Sequence, residues 1–128
     1  MKILEIDVLV LEDSLERYKC FRKYSGNPVI VDNPNDCLSS IKSSVRINEL
    51  WLDHDLGEGS VGDSGLCGMD VVNYLISNKE SVSIKSIYIH SMNPYPSQMM
   101  FEKLKSAGYN TMLYPFNILK AKIDTLVK

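Results

Sequence analysis

Groups able to do acid–base or metal chemistry recur where short apolar runs stop. Glu12-Asp13 follows Val8 to Leu11, Asp53-His54-Asp55 follows Leu50-Trp51-Leu52, and His90-Ser91, with Asn93 just beyond, follows Ile87-Tyr88-Ile89. Carboxylates gathered at one place repel each other, and a hard cation is the usual compensation. Mg²⁺, or another divalent cation, takes oxygen ligands and keeps several waters, which leaves room for phosphate oxygens. Asp13 and Asp53, with Glu12 in support, are the candidate metal ligands. The competing reading of the first pair is plainer: Glu12 or Asp13 serves the positive end of the first helix.

His54 and His90 are the only histidines of the chain. Imidazole titrates nearest neutrality of all side chains, which suits it to moving protons or donating to a phosphate oxygen. His54, His90, Asp53 and Asp55 therefore form the candidate catalytic set. On an extended backbone Asp53 and Asp55 point one way and His54 the other. Ser91 and Asn93 offer neutral donors, and Arg17 offers a fork, for anion oxygens. Each has a bland alternative. The histidines can be satisfied structural residues, Ser91 and Asn93 can be turn residues before Pro94, and Arg17 can be a solvated surface residue.

The elements that must position these groups alternate along the chain. Val8 to Leu11, extended upstream by Ile3, Leu4 and Ile6, is apolar on both faces, as a buried parallel strand requires. Ser14 can cap a first helix whose spacing puts Leu15, Tyr18 and Phe21 or Arg22 on one face, and Gly26-Asn27-Pro28 ends it. Val29 to Val31 is a second strand, and Cys37, Leu38, Ile41 and Val45 mark a second helical face. Glu49 to Leu52 is a third strand. Residues 57–68 hold five of the seven glycines and form a loop able to close over a ligand. Met69 to Ile76 is helical in pattern, and Ile84 to Ile89 is a fourth strand. A helix after Pro94 and Pro96 carries Met99, Met100 and Leu104. Ala107-Gly108 stops it, Thr111 to Tyr114 is a fifth strand, and Phe116 to Val127 is the last helix. Met99, Met100, Met112 and Leu113 read as core.

Strands alternating with helices argue for an α/β fold, a parallel sheet with helices on both faces. In such sheets ligands bind outside the carboxyl ends of the strands, the edge on which the reactive groups fall. The 128 residues fit a single domain over 1–128, without repeat or linker. A formal net charge of −2 gives no long-range pull toward duplex nucleic acid or anionic membranes. No apolar stretch approaches the ~20 residues needed to span a bilayer. Cys20, Cys37 and Cys67 have no metal-like spacing, so free thiols in a reducing cytoplasm are the expectation. The chain also lacks a phosphate-binding G-x-x-x-x-G-K-[ST] loop, a G-x-G-x-x-G fingerprint and a G-x-S-x-G elbow.

The order of elements, Glu12-Asp13 and Asp53 together resemble response-regulator receiver domains over nearly the whole chain. The resemblance implies a five-stranded sheet of order 2-1-3-4-5. It also implies an acidic pair that binds Mg²⁺ and a phosphoaccepting Asp at position 53. Receivers carry a Lys before the Pro that follows strand five. Here the sequence is Tyr114-Pro115-Phe116, which turns the expectation away from phosphoryl signalling. A closer resemblance is to the receiver-like group of cyclic-phosphate processing domains. Leu11-Glu12-Asp13 with Arg17 and Phe21-Arg22 matches its opening motif, and Leu52-Asp53-His54-Asp55-Leu56-Gly57 its second. Ser64-Gly65, Gly68-Met69-Asp70-Val71-Val72, His90-Ser91-Met92-Asn93-Pro94 and Gly108-Tyr109 continue the pattern. What this implies is a Mg²⁺-dependent phosphoesterase whose partner is a cyclic nucleotide or an RNA end bearing a 2′,3′-cyclic phosphate. The alternative is an atypical receiver or nucleotide-binding module without turnover. Homodimerisation is left open.

Overall fold

The computed structural model describes residues 4–24, 27–53 and 68–126. Strands β1 (Leu4–Leu11), β2 (Val29–Val31), β3 (Ser44–Leu52), β4 (Ile84–Ile89) and β5 (Thr111–Leu113) form a parallel sheet in the order β2-β1-β3-β4-β5. Between and after them run helices α1 (Leu15–Tyr24), α2 (Pro34–Ser43), α3 (Gly68–Ser77), α4 (Pro94–Ser106) and α5 (Phe116–Leu126). This is the receiver-like, flavodoxin-like α/β architecture that the alternation and the resemblance implied.

Toward their carboxyl ends the central strands turn continuously apolar, Val8 to Leu11 in β1, Leu50 to Leu52 in β3 and Ile87 to Ile89 in β4, because both faces of the sheet are covered there. On one face Leu9, Leu11, Leu50, Leu52, Ile87 and Ile89 pack against residues of α2, α3 and α4, among them Ile41, Val71, Leu75 and Met100. On the other, Val8, Val10 and Trp51 pack against Phe21 of α1 and Phe116, Leu119 and Ile123 of α5. Fully burying side chains of this size contributes roughly 1.5–3 kcal/mol each. Among the described residues no helix is long and apolar enough to cross a membrane.

Three local expectations are corrected. β3 begins at Ser44, not Glu49. Ser44 closes α2 by donating from both its amide and its hydroxyl to Ile41 O, and Val45 and Arg46 are already extended. Of the α1 face expected from spacing, Leu15, Tyr18 and Phe21 or Arg22, only Phe21 joins the core. Leu15 is 69% exposed, whereas Phe21 is buried among rings. The methionine stripe is not core either: Met100 is buried, but Met99, Met112 and Leu113 are all more than a third exposed. β5 is an edge strand, so only one of its sides has a paired neighbour.

A glycine is required at one turn. Gly108 ends α4 with φ of 98°, a left-handed conformation that side chains with a Cβ resist.

Candidate functional site

The strand register brings three ionisable side chains into one row. Val10 pairs with Trp51, so two residues on, Glu12 comes beside Asp53. Leu52 pairs with Ile89, so one residue on, Asp53 comes beside His90. Side chains alternate along a strand. Val8 and Val10, Trp51, and Tyr88 all belong to the α1/α5 face, and Glu12, Asp53 and His90 continue those positions in steps of two. The three therefore emerge on the same face, past the ends of three adjacent strands. All are buried, Glu12 and Asp53 at 2% exposure and His90 at 0%. One ligand atom from each lies within 4.8 Å of the others, about the spacing of neighbouring strands.

Hydrogen bonds hold the row. His90 Nε2 sits 2.9 Å from Glu12 Oε1. The carboxylate can only accept when ionised, which assigns a proton to Nε2. Among the described residues the other ring nitrogen, Nδ1, has no hydrogen-bond partner. Phe21, at 5.0 Å between ring centroids, and Trp51, at 6.2 Å, pack on the imidazole. Glu12 Oε2 accepts from the Ser14 amide at 2.9 Å, at the start of α1. Ser14 Oγ accepts from the Arg17 amide at 3.4 Å. Arg17 then returns over the row: its guanidinium lies 3.8 Å from Glu12 Oε1 and 3.5 Å from Asp53 Oδ2, with the Phe116 ring beneath it at 4.8 Å.

Electrostatics separates the acidic pair. Burial alone would raise the Glu12 carboxyl. The His90 hydrogen bond and field, the Ser14 amide and Arg17 outweigh it and hold Glu12 below the ordinary 4.5. Asp13 goes the other way. Burial, then the charges of Glu12 and Asp32, lift it above its ordinary 3.8. Glu12 is the anchored acid and Asp13 the crowded one.

The predicted site residues divide accordingly. Glu12, Asp53, His90 and Arg17 come together. Asp13 is exposed and is not one of the three mutually close ligand groups, but it lines the cleft above them. That cleft, about 350 Å³, is walled by Glu12, Asp13, Ser14, Glu16, Arg17, Asp53 and Met92. Ser91 is buried. Its Oγ accepts from the Asn93 amide at 3.2 Å and its carbonyl accepts from Ser97 Oγ. Asn93 is exposed at the start of α4 and makes no side-chain cap bond. His54, Asp55 and residues 57–67 of the glycine-rich loop lie outside the described residues. Position 114, where receivers carry Lys, holds a Tyr whose ring packs on Trp51 at 5.6 Å. Phe116 and Met92 are the site residues that the reading of the sequence missed. Phe116 had one usable signal, its place directly after Pro115 at the start of a helix.

The donor set fits a divalent cation. Two buried carboxylates face one small region, and a cation, the Arg17 guanidinium, already lies against both. The imidazole is engaged to Glu12, as partners that orient a metal-binding carboxylate usually are.

A family model described as the cyclic-phosphate processing Receiver domain matches residues 8–106. No curated protein matches the chain significantly. A solved structure described as the yeast Spc42 trimeric coiled coil, amino acids 181–211, in a fusion superposes with a TM-score of 0.59 at 16% identity. The match covers 98% of this chain and 78% of that one. At that identity the likeness speaks to fold alone. Three strand-end residues in register, the opening acidic motif and the family match lead to one statement: this chain belongs to the family of cyclic-phosphate processing receiver domains.

Proposed function

We propose that the chain binds a cyclic phosphate, a cyclic nucleotide or an RNA-end 2′,3′-cyclic phosphate, over the Glu12–Asp53–His90 row and hydrolyses it with a divalent cation, Mg²⁺ in the first instance. The observation that carries this reading is the row itself: two buried carboxylates on adjacent strands, with a guanidinium against both, beneath a cleft of about 350 Å³. Buried carboxylates are costly unless paired. Here Arg17 lies against both and His90 and the Ser14 amide hold Glu12, so the two acids are kept ionised side by side at the strand ends, where ligands of such sheets bind.

Glu12 and Asp53 would hold the cation, with Asp13 contributing from the rim. When bound, such a cation polarises a phosphoryl oxygen and lowers the pKa of a bound water. Arg17, over the Phe116 ring, would spread positive charge over the non-bridging oxygens. His90 fixes the direction of Glu12 and acts through it. Asn93, exposed at the start of α4, would offer its side-chain amide to a phosphate oxygen, and Ser91, buried, would act through the turn it holds with Asn93. His54 and Asp55 remain the candidates for proton transfer to the departing ring oxygen. Tyr114 in place of a lysine weighs against phosphoryl signalling through Asp53.

The burial of His90 favours a second reading, a binding module without turnover. An imidazole with no exposed surface is poorly placed to meet a substrate proton. Incubation of the chain with Mg²⁺ and with 2′,3′- and 3′,5′-cyclic nucleotides, followed by ³¹P NMR, separates the two. The enzyme reading predicts a ring-opened monophosphate, with turnover reduced at least a hundredfold in both Asp53→Asn and His54→Ala. Saturable binding without product supports the module.

A further inference from the structure

A second cleft adjoins the first. It has a volume of about 330 Å³ and shares the turn Glu12-Asp13-Ser14 with the cleft over the row. Its walls are Leu15 and Tyr18 of α1, Ile30 and Val31 of β2, Asp32 just after β2, and Asp36 in the first turn of α2. Leu15 and Tyr18 belong to the face that helical spacing would place in a core, yet they are 69% and 37% exposed. Of that face only Phe21 joins the core. The Tyr18 ring carries the Arg22 guanidinium 6.0 Å from its centroid.

From this geometry we infer that the second cleft is a subsite for the nucleobase of the cyclic phosphate, selective for bases bearing an exocyclic amino group. The inference rests on the proposed function and deepens it. The two clefts lie on either side of the 12–14 turn, so a phosphate over Glu12 and Asp53 puts an attached ribose across that turn and its base between Leu15, Tyr18 and Ile30. Each cleft alone is at the lower limit of ligand-site volumes, and the two together are of nucleotide size. Apolar and aromatic walls suit a base because every base has a π-face.

The rim supplies the selectivity. Asp32 Oδ1 and Asp36 Oδ2 each accept from the Asn33 side-chain amide, at 2.8 and 2.9 Å, which fixes both carboxylates in place. A carboxylate has two oxygens, so each keeps capacity to accept from an amino group. Asp13 adds a third negative charge to the same cleft. These three are not among the groups close enough to share a metal ion. A ligand with a spread of N–H donors fits them better than a point cation. Uracil, which turns a carbonyl where adenine and cytosine carry an amino group, meets repulsion there.

Equilibrium binding to the intact chain in Mg²⁺ tests this. The probes are the 2′,3′- and 3′,5′-cyclic phosphates of adenosine and uridine, with glycerol 1,2-cyclic phosphate as the base-free control. We expect an adenosine compound to bind at least tenfold more tightly than its uridine counterpart and than the glycerol compound. The adenosine preference over glycerol should fall at least tenfold in Tyr18→Ala and in Leu15→Ser, both at exposed positions where folding is not at risk. Asp36→Asn should narrow the gap between adenosine and uridine. Equal binding of all probes, or a preference that survives both α1 variants, overturns the subsite and leaves the cyclic-phosphate reading standing. Failure of every probe to bind overturns the cyclic-phosphate reading itself, and the subsite with it.

Discussion

Glu12 and Asp13 are adjacent, chemically alike and oppositely perturbed. Glu12 is held below its ordinary value, so its ionised form favours the folded state. The stability this contributes is present above pH 4.5 and is lost as pH falls through the lowered value. In metal-free buffer Glu12→Gln should therefore flatten the acid limb of a plot of Tm against pH, and an unchanged slope would deny the anchoring. Asp13 has the reverse sign: its charge opposes folding at neutral pH. Asp13→Asn should raise Tm at pH 7, with the gain disappearing as pH falls through the raised value toward 3.8. The Glu12–His90 pair should show coupling of about 1.5–3 kcal/mol in a double-mutant cycle read by urea unfolding, the range for hydrogen bonds to charged groups. At this scale the sequence showed which residue types converge but not which of the acidic pair turns inward. Alternation would decide it, yet β1 is apolar at every position from Val8 to Leu11, so its two faces look alike in sequence.

Among the elements, α1 matters most to the site. It supplies Arg17, it begins on the amide that Glu12 accepts, and it is pinned by Phe21 among Trp51, His90 and Phe116. Phe116 of α5 supports the guanidinium from below. Phe116→Leu should preserve most of the packing while removing the ring, worth about 0.5–1 kcal/mol at a site of this kind. Cyclic-phosphate affinity should then fall two- to fivefold, with Tm little changed. A fall in Tm without a loss of affinity would make Phe116 a packing residue only. At the C-terminus of α4, Gly108→Ala should cost about 1–2 kcal/mol because of its left-handed backbone, measurable by chemical denaturation. Elements whose apolar spacing matched their buried face, such as α3 with Val71, Val72 and Leu75, were legible in the sequence. α1 was not, since its spacing put Leu15, Tyr18 and Phe21 or Arg22 on one face and tertiary packing buried only Phe21 of these. The start of β3 was hidden for a similar reason. Ser44 to Asn48 alternates weakly, and only its pairing with β1 and β4 makes it a strand.

For the whole molecule, alternating strands and helices made the parallel sheet with helices on both faces legible, while its order came with the resemblance to receivers. The exposed Met112 and Leu113 were not legible, because apolar residues on a short edge strand read the same as buried ones. The consequence of the order is that β1, β3 and β4 lie side by side, so residues 12, 53 and 90, far apart in sequence, form one row. If that row holds a cation in the folded state alone, saturating Mg²⁺ stabilises the chain by linkage, about 2.7 kcal/mol at a hundred times Kd. A melting curve with and without chelator reads this directly, and the gain should vanish in Asp53→Asn.

The most direct test of the row as a cation site for phosphate chemistry is anomalous diffraction from crystals of the chain soaked in Mn²⁺. The expected result is one strong peak bonded to carboxylate oxygens of both Glu12 and Asp53, with the Arg17 guanidinium moved off them. A peak bonded to neither residue, with Arg17 still against the two carboxylates, would contradict the account.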